Sequence, residues 1–169
     1  MRCRLKYILP LILLAYSVSS RGQASTYGEL QAAYIFNFAK YIKWPGNATV
    51  FVIGVAGETD ILDALQTTLK GKKVGGREIE IRTIATLEEA ATCRIVYLPA
   101  SNSEAIVDLR LAVVGKNVLI VSEEDLIKRG ACISFIVEDE RLRFKLRKAA
   151  LEAAGLEASE GLLKLAILL

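Results

Sequence analysis

Three short apolar runs decide what this chain can fold into. "TVFVIGVAG" (49–57), "RIVYLPA" (94–100) and "NVLIVS" (117–122) are aliphatic and β-branched, with little polar alternation. A strand that is apolar on both faces needs cover on both, the situation of a strand inside a parallel sheet. Segments of helical spacing lie between them. "DILDALQTTLK" (60–70) repeats through Ile61, Leu62, Leu65 and Leu69, and "LEEAA" and "SEAIVDLRLAVV" also read as helices. "EIEIRTI" (78–84) alternates like a strand near a sheet edge. Strands alternating with helices call for right-handed crossovers and a mostly parallel sheet. "EEDLIKR", closed by Gly130, is expected to be a short helix with Ser122 and Asp125 as its capping box.

From Cys132 the period changes. "CISFIVEDERLRFKLR" alternates on both sides of an acidic turn, the pattern of an antiparallel hairpin. A helix, "KAALEAAGL", follows, and Ser159 is placed to cap a last one, "EGLLKLAILL". The expected fold class is therefore α/β: a mostly parallel central sheet flanked by helices, with a C-terminal antiparallel hairpin.

The first 24 residues read as a secretory signal peptide. Arg2, Arg4 and Lys6 form a basic start, Tyr7–Val18 an apolar run, and Gly22-Gln23-Ala24 a small-residue cleavage site. A retained anchor is the alternative, but a bilayer span needs about 20 apolar residues, and Ser17, Ser19, Ser20 and Arg21 interrupt this one. Cleavage after Ala24 leaves a single domain, residues 25–169, and removes Cys3. It also removes four of the 22 basic residues, leaving 18 against 19 acidic ones and a net charge of −1 rather than +3. The global electrostatic case for nucleic acid goes with them.

The chain has no histidine. That excludes Ser-His-Asp and Cys-His catalysis and any histidine-ligated metal. Cys93 and Cys132 are too few for a thiolate zinc site. In an oxidising compartment they could pair, closing a loop of about 40 residues for roughly 4 kcal/mol. If "NVLIVS" lies between their strands, the spacing is about 9.6 Å, beyond the roughly 7 Å a disulfide spans.

"ELQAAYIFNFAKYIKWP" (29–45) is apolar on nearly every side. A capping box at Thr26 and Glu29 is expected to start this helix, and Pro45 to end it near Lys43. Leu30, Ala33, Tyr34, Phe38 and Tyr41 line one side; Ala32, Ile35, Phe36, Ala39 and Ile42 fill much of the other. Only Asn37, Lys40 and Lys43 mark a narrow polar stripe. A surface helix buries a stripe about 100° wide, and this one offers about twice that. Either its own chain covers the excess or a second body does. Tyr34, Phe38 and Tyr41 are the candidate contacts for such a partner.

Other motifs are modest. "GVAGETD" and "KGKKVGG" lack the spacing of a phosphate loop and read as turns. Glu58, Asp60, Glu123 and Asp125 could gather at strand carboxyl ends as a Mg²⁺ site, or simply serve helix starts. On the second hairpin strand Arg141, Arg143, Lys145 and Arg147 face one way. They either protect a sheet edge from unwanted pairing or form a docking stripe for an acidic partner or lipid headgroups. Arg141, Arg143 and Lys145 are its candidate contacts.

"LQAAYIFNFAKYIKWP", "LKGKKVGGREIEIRTI", "CRIVYLPAS", "VLIVSEEDLIKRGACISFIVEDERLRFKL" and "AALEAAGLEASEGLLKLA" together resemble the YfiR-like periplasmic family, in that family's order and spacing. The resemblance covers the whole of residues 25–169. It implies a periplasmic, dimeric, non-enzymatic repressor with no cofactor. Such a repressor binds the periplasmic sensor region of an inner-membrane diguanylate cyclase and lowers cyclic-di-GMP, and an outer-membrane-associated lipoprotein captures it to relieve repression. The chain departs from the family pattern in places. Its turn, Glu138-Asp139-Glu140-Arg141, has no glycine, which argues against a tight type I′ turn. Phe144-Lys145-Leu146-Arg147 stands where relatives often read "FEIN". Two cysteines cannot make the two disulfides of redox-sensitive relatives. A small-molecule binding module, with its ligand near Gly54, Glu58 and Ser101, is the alternative function.

Overall fold

The computed structural model of the protein describes residues 21–57 and 59–169. The expected signal peptide and Cys3 fall on residues outside these, except that Arg21–Ala24 belong to the first helix. The elements run α1 (Arg21–Tyr41), β1 (Ile42–Lys43), β2 (Val50–Ala56), α2 (Ile61–Leu69), β3 (Lys73–Val74), β4 (Arg77–Ile84), α3 (Leu87–Ala90) and β5 (Ile95–Leu98). A 3₁₀ turn (Ala100–Ala105), α4 (Ile106–Ala112), β6 (Leu119–Ser122), β7 (Ile133–Glu138) and β8 (Arg141–Leu146) follow. The chain ends with α5 (Lys148–Ala153), β9 (Glu157–Ala158), α6 (Glu160–Leu165) and β10 (Ile167–Leu168).

Eight strands form one sheet in the order β10-β8-β7-β6-β5-β2-β4-β3. The pairs β4–β2, β2–β5, β5–β6, β6–β7 and β8–β10 are parallel; β7–β8 and β3–β4 are antiparallel. This is the expected α/β class. The apolar runs became the central strands because alternate residues serve two cores. Phe51, Ile53, Val55, Ile95, Tyr97, Leu119 and Val121 face one core with α1, α2 and α6. Ala56, Val96, Leu98 and Ile120 face the other, with α3 and α4. Gly54 lies on this second face, where a Cβ would come within 2.7 Å of the Cys93 sulfur. Only glycine lets the β4–β5 crossover sit that close.

Several local expectations are corrected. α1 begins at Arg21 and passes through Thr26 unbroken, so the Thr26–Glu29 capping box does not start it. It ends at Tyr41, two residues before the expected Lys43, and the chain turns extended there to pair with β9. The Trp44 indole donates to the Ala39 carbonyl in the helix's last turn at 2.8 Å, and its ring meets Phe51 edge-on at 5.0 Å. "EEDLIKR" forms turns rather than a helix. Ser122 caps nothing helical there: its hydroxyl shares a buried bond of 2.7 Å with Ser134 and donates to the Glu124 carbonyl. The capping box forms instead at Thr86 and Glu89. Backbone N–H groups of Ala85 and Thr86 hold the Glu89 carboxyl below its usual range. Ser159 caps α6 as expected, but the helix stops at Leu165 and "IL" joins the sheet as β10.

The hairpin turn is tight after all. Glu138 pairs with Arg141 across a two-residue loop whose residues, Asp139 (φ 51°) and Glu140 (φ 58°), are both left-handed. That is the backbone of a type I′ turn. The β3–β4 hairpin makes the same kind of two-residue loop with Gly75 (φ 56°) and Gly76 (φ 80°), where no side chain opposes it.

Candidate protein-interaction site

The helix that looked too apolar for one small body is mostly covered by its own chain. Ala32, Ile35, Phe38, Ala39 and Ile42 are buried in the first core. α2 packs along α1, where Gly28 and Ala64 allow close approach. Gln31, at the same helical spacing as Ile35, is buried too, and the Tyr97 hydroxyl donates to its Oε1 at 3.2 Å. This polar pin between α1 and the central strand was not singled out in the sequence. Its only signal was one amide in an otherwise apolar stripe at positions 31, 35, 38 and 42. Burial pushes the Tyr97 phenol far up from its ordinary value, so it stays a donor.

Phe38 therefore offers no surface: its exposure is 0%, and it packs against Phe144 (5.0 Å between centroids) and Phe135 (5.9 Å). Its expected place on a partner-facing side is corrected by that burial. Tyr34 is half-buried beside it, 5.5 Å from Phe144, with its hydroxyl donating to the Leu142 carbonyl at 3.4 Å. Tyr27 reaches the Glu140 carbonyl in the same way. Tyr41 is exposed, two turns or about 10 Å along the helix from Tyr34. Lys40 lies over its ring, and Lys40 and Lys72 both lie over Phe36. Exposed Tyr41 and half-buried Phe36 thus carry cations on their faces.

Between α1 and the hairpin lies a cavity of about 490 Å³ lined by Tyr34, Glu138, Asp139, Arg141, Leu142 and Arg143. Three of the expected contact residues, Tyr34, Arg141 and Arg143, meet here. The strand alternation makes this possible: Leu142, Phe144 and Leu146 point into the core, and Arg141, Arg143 and Arg147 stand exposed. Arg143 is already paired across the hairpin with Glu138, and Lys145 with Asp125 at 2.5 Å. Among the described residues Arg141 and Arg147 have no carboxylate within ion-pair distance. The strand's open edge is shortened by β10, which pairs only with Lys145 and Leu146 and leaves Arg141–Phe144 uncovered on that side.

The other candidate residues do not converge. Glu123 accepts a bond from the Ala100 N–H at 2.7 Å, so it anchors the 3₁₀ turn. Asp125 holds Lys145, and Asp60 stands at the start of α2. Glu58 lies outside the described residues. Among the described residues no three acidic or cysteine side chains gather as for a metal. Gly54 sits within its strand under Cys93 and Ile84, and Ser101 is exposed. The Asn102 amide donates to the Ala56 carbonyl across the crevice between the ends of β2 and β5.

Cys93 and Cys132 are free and buried on opposite faces of the sheet, with β6 between their strands. The separation foreseen for an intervening strand is therefore realised. Burial pushes the Cys132 thiol up to about 11. It raises Cys93 too, against the lowering pull of the Arg82 guanidinium.

A sheet covered on both faces, with a charged hairpin at one side and its cavity against the first helix, defines a small three-layer α/β domain. Residues 28–167 match the YfiR/HmsC-like family, and the chain belongs to that family. Among solved structures it is similar to a conserved domain protein from Vibrio cholerae O1 biovar El Tor strain N16961. The TM-score is 0.61 at 13% identity, over 83% of this chain and 59% of that one. At that identity the likeness is one of fold alone, and the chain spans only 59% of that protein's length. A search of curated proteins returned no match. Among the described residues no helix is long and apolar enough to cross a membrane.

Proposed function

We propose that this protein is a non-enzymatic periplasmic regulator, delivered by a cleaved leader ending at Ala24. In this reading it binds the periplasmic sensor region of an inner-membrane diguanylate cyclase, with a homodimer as the working form. The observation that carries the reading is the cavity between α1 and the hairpin, in a chain of the YfiR/HmsC-like family. Tyr34 supplies an amphipathic ring and Arg141 a guanidinium without an ion-pair partner among the described residues, the residue types most often found at binding hot spots. Arg143 and Lys145 flank them, and Tyr41 extends the surface along α1.

Binding alone represses nothing. The regulator has to favour the cyclase's inactive state, and carrying a two-state equilibrium from 1:99 to 99:1 takes about 5.5 kcal/mol of differential affinity. Release by an outer-membrane-associated lipoprotein would act by competing for the regulator. The test is genetic and direct. Deleting the gene should raise cyclic-di-GMP, and wild type but not Arg141→Glu supplied in trans should restore it. Unchanged cyclic-di-GMP on deletion would end this reading.

A further inference from the structure

We propose that the outward face of α4 is the seam of the homodimer, with the two copies of α4 running parallel across a two-fold axis. α4 turns Ile106 and Leu109 into the second core, and Val113 follows them, all at most 6% exposed. On the opposite side Val107 (43% exposed) and Leu111 (61%) stand in solvent at i and i+4 spacing, and Val114 (68%) is exposed in the turn that follows the helix. α3 packs beside α4 and presents Leu87, 40% exposed. Three of the ten exposed large hydrophobics of the described residues therefore lie on these two neighbouring helices, and a fourth, Val114, follows in the turn after α4. Apolar surface of this kind, rimmed by polar residues, marks an association site.

The charges beside the stripe indicate that its occupant is a second copy. At 3.6 residues per turn, Asp108 and Arg110 stand about 80° to either side of the line through Val107 and Leu111, and about 3 Å apart along the axis. Both are exposed, and among the described residues neither has an ion-pair partner. Arg110 is held on its flank because its stem lies against Gly130, where a Cβ would come within 2.5 Å of the arginine Cδ. A two-fold axis parallel to the helices carries each flank onto the opposite flank of the other copy. Asp108 then meets Arg110 of the second copy, and the contact is made twice. An antiparallel pairing sets each flank against itself and brings Asp108 to Asp108. The apolar stripe supplies the association and the charges set its direction, since exposed pairs add little strength.

The proposal deepens the homodimer part of the functional reading and is independent of repression, because its test uses the purified protein alone. Sedimentation equilibrium of the mature protein should show a dimer. Leu111→Glu should weaken association about 30-fold or more, the weight of a hot-spot residue, with the thermal melt of the monomer unchanged. Asp108→Arg should weaken it several-fold, and Asp108→Arg combined with Arg110→Asp should restore it. Tyr41→Glu, on α1, should leave it unaltered. A monomeric wild type, a dimer indifferent to Leu111→Glu, or a charge swap that fails to restore association would each overturn the seam. Cyclic-di-GMP responding to deletion while the protein stays monomeric would leave repression standing and remove only the dimer.

Discussion

On one face of the sheet a 21-residue helix buries Ala32, Ile35, Phe38 and Ala39 beneath α2, α6 and the hairpin. On the other, the seven-residue α4 buries one side and leaves Val107 and Leu111 in water. The first helix is the one whose composition seemed to demand a partner, and the second is unremarkable in sequence. The difference lies in how many neighbours the topology supplies. α1 lies among helices and strands that cover most of its apolar side chains, and of its large ones only Leu30 and Tyr41 remain exposed among the described residues. α4 is an outermost layer, so any apolar residue on its far side stays exposed. Excess hydrophobicity in a helix therefore says that cover is needed; its position in the fold decides who provides it.

The sharpest way to break this contrast is a pair of truncations. Phe38→Ala should cost about 3–5 kcal/mol, as for a large aromatic removed from a packed core, and chemical denaturation should show it. Leu111→Ala should change monomer stability by no more than about 0.5 kcal/mol. Comparable losses would mean that the two faces are not built differently.

The next largest effect is pH-dependent and belongs to the first face. The Cys132 thiol is raised in the folded protein to about 11, so the unfolded chain loses its proton first as pH rises. Its contribution is present below pH of about 9 and is lost as pH climbs through about 11, amounting to about 2–3 kcal/mol. Urea titrations at pH 8 and pH 10.5 should differ by less in Cys132→Ala than in wild type. Tyr97→Phe comes third. It leaves the buried Gln31 amide without its donor and should cost about 1–3 kcal/mol, measured at pH 7 and showing that the pin matters to α1.

The smallest change is a gain. Replacing Asp139-Glu140 by Asn-Gly gives the turn the residues its left-handed backbone favours, and relieving that strain should stabilise by about 1 kcal/mol. A higher melting temperature together with weakened partner binding would show that the turn's composition is kept for recognition.

The sheet was legible because "TVFVIGVAG", "RIVYLPA" and "NVLIVS" leave little choice, and the hairpin because its alternation is strict. What escaped was set by tertiary context. "EEDLIKR" has helical spacing and a cap, but Ser122 is drawn to Ser134 across the sheet and the Leu126 N–H donates to the Ser134 hydroxyl, so the segment folds as turns. A type I′ turn without glycine looks improbable from composition; the paired strands on either side impose it. The cavity brings together Tyr34 and Arg141, 107 positions apart, which no local pattern could join. Phe38 shares its helical side with Tyr34 and Tyr41 yet lies in the core, because helical spacing shows which residues are apolar and not which side meets the sheet.

Trp44 has a practical consequence. It is the chain's only tryptophan, and it sits where the first helix ends, bonded to Ala39 and stacked edgewise on Phe51 of a central strand. Indole emission is therefore a built-in optical reporter of one event, the seating of that helix on the sheet. Any ligand, partner or variant that loosens the amino-terminal half should register as a red shift without a label being attached.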